Sequence, residues 1–212
     1  MVQIPDPAKE RLLSLMRLLE KRAGGRITSG EVEALTGWSS HTIRKDISYL
    51  GWGTEDPAGN TALGSSTGYD PETLIPAIKQ ALGIGFRRRL CIVGLGRLGS
   101  AYLNFRGFEA PGEFELAAGF DISVNRVEIL KSPVPLYPAF KMGEVISRFG
   151  IELALLCVPE DAAQSAAEKL SSAGIRGIIN FAPLMLKLPP EIAVRNVYVV
   201  DELRALAVKL SG

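Results

Sequence analysis

Residues 89–99 read Arg-Leu-Cys-Ile-Val-Gly-Leu-Gly-Arg-Leu-Gly. The apolar run, residues 90–93, predicts a buried parallel strand. Gly94, Gly96 and Gly99 then follow at the spacing of a dinucleotide-binding turn. In such a turn the free N–H groups at the start of the next helix bind a pyrophosphate. The sequence therefore predicts nucleotide contacts along the whole turn, at Gly94, Leu95, Gly96, Arg97, Leu98 and Gly99.

A second apolar run, from Phe114 to Asp121, predicts another strand, and it ends in a carboxylate about 20 residues beyond the glycines. We expect Asp121 to accept hydrogen bonds from the adenosine ribose hydroxyls. Its negative charge would repel a 2′-phosphate, which favours NAD(H) over NADP(H) as the cofactor. A tight strand-to-helix turn without a ligand, with Asp121 serving only as a helix cap, is the alternative for the same pattern.

Strands and helices continue to alternate after this point. Further strands are predicted over Val134–Tyr137, Glu152–Val158, Arg176–Phe181 and Asn196–Val200, and helices over Met142–Phe149, Glu160–Ala173 and Asp201–Leu210. This alternation predicts an α/β class domain over 85–200, with a Rossmann-type, doubly wound parallel sheet. Ligands bind such sheets at the carboxyl ends of the strands. We therefore expect the cleft to be lined by Cys157, Val158, Pro159, Asn180 and Phe181, although these positions also fit helix-start turns.

Residues 1–84 have a different pattern, with three short amphipathic helices that begin after Asp6, Thr28 and Ser39 or Ser40. A short helix, a glycine-containing turn and a second short helix form the helix-turn-helix layout, whose second helix enters the major groove of DNA. The candidate DNA-binding residues are Ser39, Ser40, His41, Thr42, Arg44, Lys45, Ser48 and Tyr49. This segment carries slightly fewer basic than acidic residues, so a purely structural helical unit is the alternative.

The glycine-rich residues 51–68 fit either a β-wing around Pro57–Asn60 or a flexible linker. A further helix is predicted to follow from Asp70 to Gly83.

The composition narrows the class of protein. The chain has 212 residues, a net charge of +1, 47% hydrophobic residues, two cysteines and one histidine. Neither cysteine has a metal-ligand spacing, and both fall in predicted buried strands, so we expect core thiols and no metal. No segment resembles a signal peptide or a membrane span, so we expect a cytoplasmic protein.

No histidine follows His41, and the predicted sheet leaves little chain for a substrate domain. A sensor of the nucleotide is therefore favoured over an enzyme. One alternative is a small NAD-dependent oxidoreductase with a helical dimerisation cap. Another is a regulator whose Rossmann domain binds a different adenine ligand, such as coenzyme A.

Several longer motifs extend along nearly the whole chain. They are Ser40-x-x-Ile43-Arg44-Lys45-Asp46-Ile47-Ser48-Tyr49-Leu50-Gly51, Gly68-Tyr69-Asp70, Val93-Gly94-Leu95-Gly96-Arg97-Leu98-Gly99, Asn104-Phe105-x-Gly107-Phe108, Phe120-Asp121, Val158-Pro159 and Asn180-Phe181-Ala182-Pro183. With these motifs the chain resembles the redox-sensing transcriptional repressor family, Rex.

The resemblance implies a winged helix-turn-helix domain over 1–84, a Rossmann domain over 85–200, and a homodimer that exchanges its last helix, residues 201–212. It implies that the free or NAD⁺-bound dimer binds a palindromic DNA operator and that NADH releases it. Arg44 and Lys45 would then lie in the major groove, and Phe105 and Asp201 near the switch between the domains. The chain departs from the family in its longer wing segment, Trp52 to Thr67, which carries Glu55 and Asp56. Because of this difference, the family's minor-groove contact and operator preference are not carried over to this chain.

Overall fold

The structure is a computed structural model, and it describes residues 4–22, 24–51, 68–108 and 112–210. The chain divides into two compact units, Met1–Phe86 and Arg87–Gly212. The proposed wing around Pro57–Asn60, with Glu55 and Asp56, lies outside the described residues.

The first unit is helical. Its helices are α1 (Asp6–Glu20), α2 (Ser29–Thr36), α3 (Ser40–Ser48) and α4 (Pro71–Leu82). Local capping explains their bounds: Thr28 and Glu31 form a reciprocal capping box at the start of α2, and the side chain of Ser39 accepts the N–H of Thr42 at the start of α3. The helices share one apolar core, which includes Leu12, Leu15, Leu19, Ile43, Ile47, Leu74 and Ile78.

A short antiparallel bridge joins two segments of this unit. Ile27, just before α2, exchanges both backbone hydrogen bonds with Tyr69, just before α4, at N···O distances of 2.9 and 2.7 Å. Tyr69 is itself buried in the core. The bridge therefore fixes the beginning of α2 relative to the beginning of α4.

The second unit is built on a six-stranded, all-parallel sheet of order β3-β2-β1-β4-β5-β6. Its strands are β1 (Arg88–Val93), β2 (Phe114–Asp121), β3 (Leu136–Pro138), β4 (Leu153–Leu156), β5 (Gly177–Asn180) and β6 (Ala193–Asn196). This is the strand order of a dinucleotide-binding Rossmann sheet, and the order reverses between β1 and β4. The predicted doubly wound parallel sheet is confirmed.

The helices of this unit are α5 (Arg97–Leu103), α6 (Val124–Ile129), α7 (Met142–Phe149), α8 (Glu160–Ser172) and α9 (Val199–Leu210). One face of the sheet packs against α7 and α8, whose Val145, Ile146, Ala163 and Ala167 are buried. The opposite face packs against α5, with Leu95 and Leu103 in the core. Small alanines allow α8 to approach the strands closely.

The predicted strand over Asn196–Val200 is wrong. The strand lies earlier, because β6 runs beside β5 in a register that pairs Gly177 with Ala193 and Asn180 with Asn196. One further backbone hydrogen bond follows, from the N–H of Val197 to the carbonyl of Asn180 at 2.9 Å, and the pairing ends there. The valines of the apolar run instead begin α9, three residues later.

No helix among the described residues is long and apolar enough to cross a membrane.

Candidate functional site

The glycine turn after β1 has the geometry that its spacing predicts. Gly94 has φ +89°, and a Cβ there would lie 2.6 Å from the carbonyl oxygen of Cys157 at the end of β4. A Cβ on Gly99 would collide with the carbonyl of Gly94. Gly96, in contrast, has an extended backbone, and a Cβ there would meet no protein atom within 4 Å. Gly94 and Gly99 are therefore required by the fold, whereas the fold leaves the space beside Gly96 open.

Asp121, at the end of β2, holds this turn in place. Its side chain is buried, with 3% exposure. One carboxylate oxygen accepts the N–H of Leu95 at 2.7 Å, and the other accepts the N–H of Ser123 at 2.8 Å. Burial raises the pKa of the Asp121 carboxyl, but the hydrogen bonds from Ser123, Leu95 and Arg126 outweigh it and leave the pKa below its ordinary value. Asp121 is therefore a fixed negative charge beside the glycine turn.

A cleft of about 500 Å³ opens at the carboxyl ends of β1, β2 and β4. It is the place where ligands bind in sheets of this order. Of the residues predicted to contact a nucleotide, the cleft is lined by Gly94, Gly96, Asp121, Cys157, Val158 and Pro159. Two cations also line it, Arg126 from α6 and Lys169 from α8. Both suit an anionic ligand.

Other predicted contact residues lie around this cleft rather than on its lining. The side chain of Leu95 is buried in the core, and its N–H donates to the Asp121 carboxylate. Gly99 is buried under the turn. Arg97 and Leu98 are exposed at the start of α5.

Asn180 and Phe181 organise the chain after β5. The buried side chain of Asn180 donates to the carbonyls of Ala182 and Leu184, and it accepts the N–H of Ala182. The ring of Phe181 packs 5.3 Å from that of Tyr102 on α5. These contacts connect the end of β5 with the helix that begins at the glycine turn.

Neither cysteine has the properties of a reactive thiol. Burial raises the pKa of Cys91 well above its ordinary range, and burial raises the pKa of Cys157 to about 12. Both are free cysteines. Within the described part of the chain, no group of three or more His, Cys, Asp or Glu side chains could hold a metal ion.

The candidate DNA-binding residues lie on or beside α3, and the structure separates them by what they contact. The hydroxyls of Ser39 and Thr42 are hydrogen-bonded to each other. Ser40 donates its N–H and its hydroxyl to the carboxylate of Glu33 on α2. The Ser48 hydroxyl donates to the carbonyl of Lys45.

The remaining candidates differ in exposure, and Tyr49 is half-buried. His41, Arg44 and Lys45 are exposed, and the Arg44 guanidinium reaches the Ser29 hydroxyl at 3.3 Å. The helix therefore presents a basic surface, and among its hydroxyl neighbours Ser39 caps it.

The sequence alone does not reveal a partly buried ion pair under this helix. The guanidinium of Arg11 on α1 makes two hydrogen bonds, of 2.6 and 2.8 Å, to the carboxylate of Asp46. Asp46 is buried between Ile43 and Ile47 on the core side of α3. An acidic residue on the apolar stripe of a helix signals a buried partner, but the stripe does not identify which one. The pair ties the orientation of α3 to α1.

Phe105 and Asp201 are the candidate switch residues. Phe105 is 52% exposed and packs against Tyr102 and Phe108, with ring centroids 6.0 and 5.1 Å apart. Asp201 is exposed on α9 and pairs with Arg204 at 2.7 Å.

A parallel sheet of this strand order, with a glycine turn and a fixed carboxylate at its switch point, defines the class of Rossmann nucleotide-binding domains, here preceded by a helix-turn-helix unit. Residues 87–184 match the family described as CoA binding domain. The redox-sensing transcriptional repressor Rex of Thermus thermophilus is 39% identical over 202 residues, covering 92% of this chain and 89% of the relative. The chain belongs to the Rex family of transcriptional repressors.

Two solved structures of a Rex-family repressor, RSP, resemble the whole chain. RSP in complex with NAD⁺ and operator DNA has a TM-score of 0.83 and 30% sequence identity, covering 99% of this chain and 94% of RSP. RSP in complex with NADH has a TM-score of 0.81 and 29% identity, covering 99% of this chain and 95% of RSP.

Proposed function

We propose that this protein is an NADH-responsive transcriptional repressor: it binds operator DNA through residues 1–84 and NAD(H) through residues 85–200. The observation that carries the proposal is the glycine turn, which is fixed by Asp121 and leaves the space beside Gly96 open toward the cleft. The RSP complexes with NAD⁺, operator DNA and NADH support it. The curated relatives are named repressors, which favours a sensor over an oxidoreductase.

In this proposal the pyrophosphate lies against the turn from Gly94 to Gly99, and the adenosine ribose lies toward Asp121. The turn fits the group because the missing side chain of Gly96 leaves room for phosphate oxygens to approach backbone N–H groups. Cys157, Val158 and Pro159 form the opposite wall, and Asn180 and Phe181 shape the chain beside it. When bound, the nicotinamide supplies the redox state that is sensed, and the protein supplies only binding and orientation.

The DNA-binding surface of this proposal is the exposed side of α3. Arg44 and Lys45 would contact guanine edges and phosphates in the major groove. His41 and the hydroxyls of Ser39, Ser40, Thr42 and Ser48 would contact the phosphates nearby. The Arg11–Asp46 pair supports this surface from beneath, because it fixes how α3 sits on α1.

A homodimer is the proposed assembly, with the C-terminal helix, residues 201–212, exchanged between subunits. Helix α9 carries exposed apolar side chains on successive turns, at Val199, Leu203, Leu206 and Leu210. The sheet in turn has an apolar cavity of about 580 Å³, whose lining includes Phe108, Leu155, Ile179 and Val194. An uncovered apolar helix and an uncovered apolar cavity on one chain are complementary surfaces for a twofold dimer.

NADH and operator DNA are proposed to favour different arrangements of the dimer, with Phe105 and Asp201 near the switch. Each ligand then weakens the other by the same factor, and a typical allosteric coupling gives roughly 5- to 150-fold. A repressor acts where the DNA is, so the proposed location is the cytoplasm.

The nucleotide site is tested by substituting Gly96→Ala and titrating NADH by its own fluorescence. The added methyl meets no protein atom within 4 Å, so the fold should remain intact while the phosphates are blocked. We expect NADH affinity to fall by about tenfold or more, the equivalent of about 1.4 kcal/mol.

The control is Gly143→Ala on α7, where a Cβ also meets nothing and NADH affinity should not change. Unchanged NADH affinity in Gly96→Ala would refute the placement of the pyrophosphate. Displacement of NADH by coenzyme A at similar concentration would instead favour a different adenine ligand.

A further inference from the structure

Glu33 on α2 is bound to the first turn of α3, the helix proposed to enter the major groove. Its Oε2 atom accepts the N–H of Ser40 at 3.0 Å and also the Ser40 hydroxyl. Glu33 is itself exposed, so these hydrogen bonds lie at the surface of the helical unit. A carboxylate therefore occupies the exposed start of the proposed DNA-binding helix.

Arg44 lies near the same carboxylate. Its Nε atom donates to the hydroxyl of Ser29 at the start of α2, at 3.3 Å, so the side chain reaches from α3 back to α2. The hydrogen bonds from the Ser40 hydroxyl and N–H hold the pKa of Glu33 below its ordinary value, and the positive charge of Arg44 lowers that pKa further. Glu33 is therefore ionised at neutral pH and attracts an arginine that is proposed to contact DNA.

The carboxylate of Glu33 offers Ser40 the same kind of group that a DNA phosphate would offer. A phosphate also presents acceptor oxygens, and it binds backbone N–H groups at the starts of helices and serine hydroxyls in protein–DNA complexes. Because a hydroxyl has a single hydrogen to donate, Ser40 cannot serve both groups fully. A phosphate that approaches Ser40 must displace the carboxylate, and the two negative charges repel each other until the carboxylate moves away.

We propose that Glu33 competes with a phosphate of the DNA backbone for the N–H and hydroxyl of Ser40, and so weakens binding to every DNA sequence. The inference rests on the proposed DNA-binding function of α3. Phosphate contacts carry no base information, so the competition lowers the affinity for the operator and for other DNA by the same factor. Operator binding then depends more on base contacts, and NADH has less binding free energy to offset when it releases the DNA.

The test compares the wild type with Glu33→Gln, which removes the charge and keeps an acceptor for Ser40, and with Glu33→Ala, which removes both. Fluorescence anisotropy measures the affinity of the full chain for a palindromic operator and for a scrambled duplex at several salt concentrations. We expect both variants to bind both duplexes more tightly, by roughly three- to tenfold, since one fewer negative charge meets the phosphates. For Glu33→Ala, the slope of log affinity against log salt should become steeper by about 1, the value of one added phosphate contact.

A second comparison separates competition at Ser40 from a general effect of charge. Ser40→Ala removes the hydroxyl for which the two groups compete, so Glu33→Ala should raise the affinity by a smaller factor in the Ser40→Ala background than in the wild type. The matched control is Glu20→Gln, which removes the same charge at the end of α1, where Glu20 pairs with Lys79 on α4 at 3.1 Å. It should change both affinities less than Glu33→Gln does.

Unchanged or weaker DNA binding by Glu33→Ala would overturn the inference, because the carboxylate would then help to position α3 for DNA. An equal gain in the Ser40→Ala background would also overturn it, as would a gain for the operator alone. A wild-type protein that binds no operator would overturn the proposed function itself, so the two failures are distinguishable.

Discussion

Replacing Asp121 by Asn tests how far one carboxylate holds the nucleotide turn. The carboxylate accepts the N–H groups of Leu95 and Ser123 through different oxygens. An Asn side chain has one acceptor oxygen, so its NH₂ group must face one of these two donors. One of these two N–H groups therefore loses its charged acceptor and is left unpaired, which costs about 1 to 3 kcal/mol.

We expect the free energy of unfolding of the second unit to fall by about 1 to 3 kcal/mol. The exposed Arg126 adds little, because a pair with one solvent-exposed partner contributes about 1 kcal/mol or less. Urea unfolding followed by far-UV circular dichroism measures the change. The matched control is Asp161→Asn, the same substitution at an exposed position on α8, with an expected change of about 0.5 kcal/mol or less.

The pH dependence follows from the lowered pKa of Asp121. Because its folded-state pKa lies below the unfolded value of about 3.9, the carboxylate stabilises the protein above that pH. Its contribution is lost as the pH falls through the folded pKa. Asp121→Asn should therefore lose stability at neutral pH and differ little from the wild type in strong acid. If Asp121→Asn lowers the free energy of unfolding at neutral pH by less than about 1 kcal/mol, the carboxylate does not stabilise the turn.

Three further substitutions test other parts of the protein. Arg11→Ala leaves Asp46 buried without its cation; since Arg11 is 28% exposed, we expect about 2 to 3 kcal/mol, less than for a fully buried pair, together with weaker operator binding. The double substitution Arg44→Ala and Lys45→Ala should abolish operator binding and leave NADH affinity unchanged, as compared by anisotropy and NADH titration. Leu203→Glu, which places a charge in the apolar face of α9, should give a monomer in light scattering.

Each of these three predictions has an outcome that would contradict it. Arg11→Ala with unchanged urea unfolding would show that the ion pair does not position α3. Operator binding in the Arg44 and Lys45 double variant would place the DNA-binding surface elsewhere. A Leu203→Glu variant that is still a dimer, compared with Lys209→Glu on the same helix, would exclude α9 from the interface.

Local sequence patterns predicted much of the second unit. The strand Phe114–Asp121 and the helix Met142–Phe149 have the bounds that their patterns predict. The apolar run of the strand packs on both faces of the sheet, and the apolar stripe of the helix coincides with its one buried face. The predicted strand over Asn196–Val200 was wrong because the valines there are apolar without being buried: Val199 and Val200 are 67% and 39% exposed on α9. Apolar character alone does not separate a buried strand from an uncovered helix.

The contacts that refine the site could not be predicted in the same way. The Arg11–Asp46 pair joins residues 35 positions apart, and the link from Leu95 to Asp121 spans 26 positions. Both depend on how the elements pack. Asp121 was predicted as a ribose acceptor because of its place after β2, but its inward hydrogen bonds become visible only when the glycine turn is folded against it. The ribose contact itself stays a prediction.

NADH and operator DNA are proposed to oppose each other on one dimer. Fluorescence anisotropy measures this opposition with a labelled palindromic duplex from the gene's own upstream region, titrated with protein and then with NADH or NAD⁺. We predict tight binding that NADH relieves by roughly 5- to 150-fold and that NAD⁺ leaves in place. A protein that binds NADH but has the same operator affinity with and without NADH would show that the two ligands are not coupled.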